Sequence, residues 1–300
     1  MSDELPPTKN IEHETNMIPK PKLPISATVI ATSQITPSLR RITFSGNDIA
    51  QIPSHRCGGH LKLLLPKNDS NSNPIAITDH WRQHYKTRTY TLRNHRPDQQ
   101  EIDIDFATHP NPTGPGANWA MNARTGDLIH LTIPSEKKLN DTTAPWYIFL
   151  ADPCSTPAAL AALQDLPTTA PVHAILETST QDDRNLFTQF PQLTPHWITR
   201  SPIHTPDQHA HAVLDTIASI NFPISRPGFF AAGESSVIRV FDAWAKSTWD
   251  LTGATPYISP YWKADFDQDQ HKSFKSKLKT NSEEPPLITT RPNAFARSES

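Results

Sequence analysis

The chain has 300 residues, with 28 Lys and Arg against 30 Asp and Glu, a formal net charge of −2 and a pI near 6.7. That length suits one large domain or two ordinary ones with real hydrophobic cores. The near-neutral balance excludes a global pull toward nucleic acid or anionic membrane, so any basic site must be local.

Residues 1–22 are polar, acidic at the start, and lack the charged-then-apolar pattern of a secretion signal. They read as a disordered lead. The two cysteines, Cys57 and Cys154, stand in neither CxxC nor CxxH spacing and predict reduced thiols in a cytoplasmic protein. The 14 histidines show no zinc spacing, so no metal site is expected. No run approaches the roughly 18 apolar residues that span a bilayer, so no membrane insertion is expected. Thirty prolines against nine glycines predict stiff loops and make each glycine informative.

The first half reads as strands at 26–34, 39–46, 60–66, 88–93, 101–108 and 127–134, separated by Pro, Asp, Asn or Ser clusters. Ile102 and Ile104 alternate with Asp103 and Asp105, the period of a half-buried strand. With one helix near 115–124, these strands predict a closed antiparallel barrel. The character changes after the linker at 141–145. Apolar strands at 146–151, 172–177, 196–200 and 228–233 alternate with helices at 156–166, 207–220 and 234–247. That alternation predicts a parallel, doubly wound sheet. From 264 the chain is rich in Lys, Gln, Asp and Ser, with a charged helix expected first and disorder over 280–300.

The strand RTYTLR places Arg88 and Tyr90 on one side and Thr91 on the other. A guanidinium can hold pyrophosphate in bidentate fashion, a tyrosine ring can cover a flat heterocycle, and a threonine hydroxyl can reach its edge. A surface strand with a core tyrosine is the competing reading. In the turn GPGANWA, Gly114 and Gly116 permit close backbone approach, Pro115 suits a first helical turn, and the free N–H groups form an anion site.

These segments resemble the siderophore-interacting proteins, FAD-dependent ferric-siderophore reductases of the ferredoxin-reductase-like superfamily. The resemblance runs from about 25 to about 275, through RTYTLR, IDIDFATH, GPGANWA, WYIFLADPCSTPAAL, FFAAGESSVIR and YISPYWK. It implies an N-terminal antiparallel Greek-key β-barrel binding FAD over 23–141. A doubly wound NAD(P)H-type α/β domain would follow over 145–263, with a charged extension over 264–300. Carried over by position, Arg88, Thr89, Tyr90 and Thr91 would hold the pyrophosphate and isoalloxazine. Phe106, Ala107 and His109 would pass alongside, and Gly114, Pro115, Gly116, Ala117, Asn118 and Trp119 would supply the phosphate turn.

The resemblance also implies reduced ferredoxin or NAD(P)H as electron donor and a ferric siderophore as substrate, met by Lys62, Lys137, Lys138 and Lys263. Each lysine alone also fits a solvated surface. The loop LADPCSTP lacks a GxGxxG fingerprint, and the serines of GESS also suit a helix cap. No acid–base pair is required for electron transfer, so no catalytic side chain is assigned. A general NAD(P)H:flavin or quinone reductase and a non-catalytic siderophore-binding protein are the alternatives. A monomer is expected.

Overall fold

The computed structural model describes residues 23–67, 77–78, 80–108, 114–136, 139, 142–201, 203–266 and 270. The expected lead at 1–22 and nearly all of the extension after 266 lie outside them, as do His109, Lys137 and Lys138.

The first half forms one seven-stranded antiparallel sheet. Its strands are β1 (Ile25–Thr36), β2 (Leu39–Ser45), β3 (His60–Pro66), β4 (Tyr85–Thr91), β5 (Asn94–Arg96), β6 (Glu101–Ala107) and β7 (Leu128–Leu131), in the order β4-β3-β7-β1-β2-β6-β5. Sequence reading predicts six strands here. It misses β5 and starts β4 three residues late, because Tyr85–Thr87 carry no alternation of apolar and polar residues. The two edge strands are consecutive in the chain, with only Leu92 and Arg93 between them, and the Arg93 N–H donates to the Asp103 carbonyl on β6. One stretch of backbone therefore meets both edges of the sheet.

The interior of this sheet is apolar. Val29, Ile42, Phe44, Leu61, Leu63, Ile102, Ile104 and Phe106 are fully buried, with Trp119 packed against them from the helix α1 (Pro115–Asn122). Expecting β6 to be half-buried is wrong: Asp103 and Asp105 are as buried as the isoleucines. Period-two alternation marks two chemically different faces, and here the polar face is covered by an ionic network rather than by water. Arg41 clasps Asp105 through both nitrogens, at 2.7 and 2.8 Å. Arg96 clasps Asp103 at 2.7 and 2.8 Å, and Asn94 and Thr43 also donate to Asp103.

Burial alone would raise the Asp103 carboxyl, but the hydrogen bonds from Arg96, Asn94 and Thr43 outweigh it and hold the pKa at about 2, below the ordinary 3.8. A depressed carboxylate contributes stability in full above its unfolded pKa and loses it as pH falls through the folded value. Thermal unfolding followed between pH 5 and pH 2 should therefore show a loss of Tm below about pH 4. In Asp103→Asn that segment should flatten on a lower baseline. An unaltered acid limb would refute the assignment.

The second half forms a five-stranded parallel sheet, in the order β10-β9-β8-β11-β12, from β8 (Tyr147–Ala151), β9 (Val172–Glu177), β10 (Leu193–Ile198), β11 (Gly228–Glu234) and β12 (Tyr257–Trp262). Helix α2 (Thr156–Asp165) packs on one face with Phe187 and Phe190. Helices α4 (Pro206–Ala218) and α5 (Ser235–Thr248) cover the other. The short α3 (Gln181–Asn185) and the strand β12 escape the sequence reading, and β10 begins earlier than expected, through Pro195. β10 is an edge strand, where a missing N–H is tolerated. Leu139, before the expected linker, already packs in the core around α2.

Polar contacts tie the two sheets together. Asp183 of α3 accepts from Ser38 at 2.6 Å and from Thr36, in the turn joining β1 and β2, while closing its own helix cap with Thr180. Arg93 donates to Gln164 on α2 at 2.7 Å.

Candidate flavin and anion sites

β4 carries two faces, and cross-strand pairing with β3 assigns them. Tyr90 lies opposite Leu61 and Arg88 opposite Leu63, so both share the face of the apolar interior. Thr89 lies opposite Lys62 and Thr91 opposite His60, on the reverse face. The expected separation of Arg88 and Tyr90 from Thr91 is what the register produces.

Tyr90 leans on Phe106 with ring centroids 4.4 Å apart, and Phe106 meets Trp119 at 5.9 Å. Phe106 itself is fully buried, Ala107 half-buried and Thr91 buried. Burial pushes the Tyr90 phenol well above its ordinary range, so it stays protonated and able to donate. Arg88 donates to the Thr87 carbonyl at 2.8 Å.

The two glycines of the turn do different work. A Cβ on Gly116 would stand 2.1 Å from the Tyr90 Oη and 3.4 Å from the Arg88 Cβ. Gly116 is therefore required by the contact between helix and strand. A Cβ on Gly114 would meet nothing within 4 Å. Helix α1 has Pro115 in its first turn and no side-chain cap, and its first backbone bond runs from the Asn118 N–H to Gly114. The Gly116 and Ala117 N–H groups are thus the donors the helix end leaves over. Asn118 is exposed, and the Thr108 hydroxyl at the end of β6 is buried without a partner among the described residues. These groups fit a flavin dinucleotide: two backbone donors at the helix start for phosphate, and a tyrosine ring beside Arg88.

On the reverse face lies a pocket of about 300 Å³, lined by Pro53, Arg56, His60, Lys62, Thr132, Ile133, Pro134 and Ser135. Sequence reading predicts only Lys62 of these. His60 sits two residues before it on the same face, hydrogen-bonded to Ser135 at 2.6 Å, so the alternation of β3 held that signal. Arg56 comes from a 3-10 turn (Ser54–Arg56) and is paired with Glu136, a placement no local pattern encodes. Lys263 follows β12, with its ammonium 4.4 Å from the Phe266 ring.

At the C-terminal ends of the parallel strands, Asp152 is buried and accepts from Trp262 Nε1 at 2.6 Å and from the Ser155 N–H at 2.9 Å. Glu177 accepts twice from Arg200 and once from His209. Among the described residues no group of three or more His, Cys, Asp or Glu is arranged for a metal ion. No helix among them is long and apolar enough to cross a membrane.

Residues 28–138 match the siderophore-interacting FAD-binding domain, and residues 144–265 match the siderophore-interacting protein family. The ferric vibriobactin reductase ViuB of Vibrio cholerae is 27% identical over 236 residues, covering 76% of this chain and 85% of that protein. Among solved structures, the siderophore-interacting protein SipS from Aeromonas hydrophila superposes with a TM-score of 0.73 at 24% identity, over 86% of this chain and 99% of its own. A siderophore utilization protein from T. fusca follows at 0.70 and 23%, over 83% and 96%. The antiparallel sheet, the parallel sheet and these matches agree: the chain belongs to the siderophore-interacting family of FAD-binding oxidoreductases.

Proposed function

We propose that this protein reduces ferric siderophores with FAD and so releases Fe(II) for use in the cytoplasm, drawing electrons from NAD(P)H or a reduced ferredoxin. One observation carries the reading: β4 presents Arg88 and Tyr90 on one face of the sheet, and the adjoining β3 carries His60 and Lys62 on the other, into a pocket with Arg56. Residues 23–141 form the flavin domain, closed as a Greek-key barrel where β4 runs into β5, and residues 145–263 form the donor domain. Support for closure is the two-residue step between the edge strands.

Bound FAD supplies the electron-carrying ring. Arg88 and the Gly116 and Ala117 N–H groups would hold its phosphates and Tyr90 would cover the ring, with Thr89 and Thr91 on the reverse face of β4. Ala107 would pass alongside. Lys62 and Lys263, with Lys137 and Lys138, attract an anionic ferric chelate to the flavin. Iron here is cargo, and hard oxygen chelators hold the less charged Fe(II) poorly, so reduction releases it. Two unpaired thiols, Cys57 and Cys154, support a reducing compartment.

Reversing charge at Lys62 and Lys263 together should weaken ferric-chelate binding by about tenfold or more while leaving FAD occupancy unchanged. Flavin absorbance reads occupancy, and quenching of flavin fluorescence by the chelate reads affinity. Equal chelate affinity in the Lys62→Glu/Lys263→Glu variant would overturn the substrate assignment. A colourless protein after reconstitution would overturn the cofactor assignment.

A further inference from the structure

Two of the polar contacts between the sheets lie at different heights along α2. Arg93 reaches Gln164, near the end of that helix. At its start, Thr156 lines a cleft with Pro153, Glu177 and Asp183 of the parallel-sheet unit and with Ser38 and Leu39 of the other. Eight residues separate Thr156 from Gln164, about 12 Å at the rise of an α-helix. Glu177 ends β9, and α2 begins just after β8, so the Asp183 contact stands at the rim of the crevice where open parallel sheets take ligands. The Arg93 contact lies behind it.

Asp183 divides its carboxylate between the two units. One oxygen accepts from the Thr180 N–H at 2.7 Å and closes the cap of α3. The other accepts from Ser38 Oγ at 2.6 Å and from the Thr36 hydroxyl. A helix cap needs only the first; the second serves the opposite sheet. Burial would raise this carboxyl, but the Ser38, Thr36 and Thr180 bonds outweigh it and hold the pKa below the ordinary range, so the group is ionised at neutral pH. Bonds to an ionised acceptor are short and strong. The turn that donates is itself fixed, by Pro37 and by the Gln34 amide, which donates to the Thr36 carbonyl at 2.7 Å. It is also tied to the end of β6: the Thr108 N–H donates to the Ser38 carbonyl at 2.8 Å, and Leu39 pairs with Ala107. Ala107 adjoins Phe106, on which Tyr90 rests. The cleft holds about 10 Å³, room for one water at most.

We infer that Asp183 is a positioning residue: it fixes the crevice rim of the parallel sheet against the end of β6, and so sets how closely an electron donor approaches the flavin. This rests on the flavin-reductase reading above. Without the contact, the second unit is free to swing about Arg93 and Gln164, and a misplacement of about 1 Å can cost a transfer reaction on the order of a hundredfold.

Thr36→Val/Ser38→Ala removes both donors and leaves the α3 cap whole. Anaerobic stopped-flow absorbance, with NADH, NADPH and reduced ferredoxin in turn, reads electron entry into bound FAD. Entry should slow by about tenfold or more, while reduction by dithionite, reoxidation by ferric citrate and FAD occupancy stay within about twofold of wild type. Thr36→Ser/Ser38→Thr keeps both hydroxyls and should retain the wild-type rate. If the Val/Ala variant does not fold, Asp183→Asn, which strips the charge from the same bonds, should slow entry in the same selective way. Unchanged entry, or equal slowing of every step, would overturn the inference. A second readout needs no donor. Spin labels on Gln51→Cys and Gln189→Cys, both exposed positions, in a Cys57→Ser/Cys154→Ser background report the separation of the units by pulsed EPR. The distance should lengthen and broaden when the hydroxyls are removed, and an unchanged distribution would overturn the inference. Wild-type flavin that no donor reduces would instead sink the flavin-reductase reading, with the label distances still testing the contact.

Discussion

Asp105→Ala is expected to lower stability by about 3–5 kcal/mol, the cost of stripping one partner from a buried ion pair. Asp105 is fully buried, clasped by Arg41 at 2.7 Å and faced by Arg93 Nε at 3.7 Å. Its loss leaves two guanidiniums confronting each other inside the covered face of β6. Arg93 also reaches Gln164 on α2, so strain at this site passes to the contact between the sheets. In a chain of this size the change should appear as a drop in Tm of roughly 6–20 °C. Adding Arg41→Ala should recover part of the loss, because the second substitution removes one stranded charge; strict additivity would show that the pair is not coupled.

Gly116→Ala should reduce FAD affinity by about tenfold or more, while Gly114→Ala should leave it within a fewfold of wild type. The contrast follows from geometry. The added methyl at Gly116 falls 2.1 Å from the Tyr90 hydroxyl, and Tyr90 has no room to yield toward Phe106, whose ring centroid is 4.4 Å away. Either the ring swings out of its seat or the helix lifts off the strand, and both displace donors from the phosphate position. At Gly114 the backbone has φ −92°, ordinary for any residue, and open space around it. Titration of the stripped protein with FAD, followed by absorbance, measures both. Equal affinity in Gly116→Ala would mean that Tyr90 is not a wall of the flavin site.

Much of this architecture was legible because it is written in local patterns. The apolar runs at 146–151, 172–177 and 228–233 marked strands buried on both faces, and β8, β9 and β11 lie within one residue of those bounds. GPGANWA carried its own signal, a proline at a helix start after a glycine. The short α3 was missed because five residues are too few for a helical period, and β12 because its residues are all half-buried and show no alternation. Among site residues, Arg88 and Tyr90 were visible as a motif, whereas Arg56 was not. It reaches its pocket from a turn, and only the fold sets that turn beside β3.

By itself, the order of residues determined most of the strands and helices, that two sheets of opposite kind follow one another, and where a helix led by glycine and proline begins. Those properties depend on periodicity and backbone preference within a few residues. Tertiary structure alone decided that Asp103 and Asp105 are buried, that Gly116 serves Tyr90, and that Asp152 and Glu234 occupy the helix ends of the crevice. Each of these turns on what stands opposite a side chain. A carboxylate has the same formula in water, against an arginine or on a helix N-terminus, and only packing selects among them.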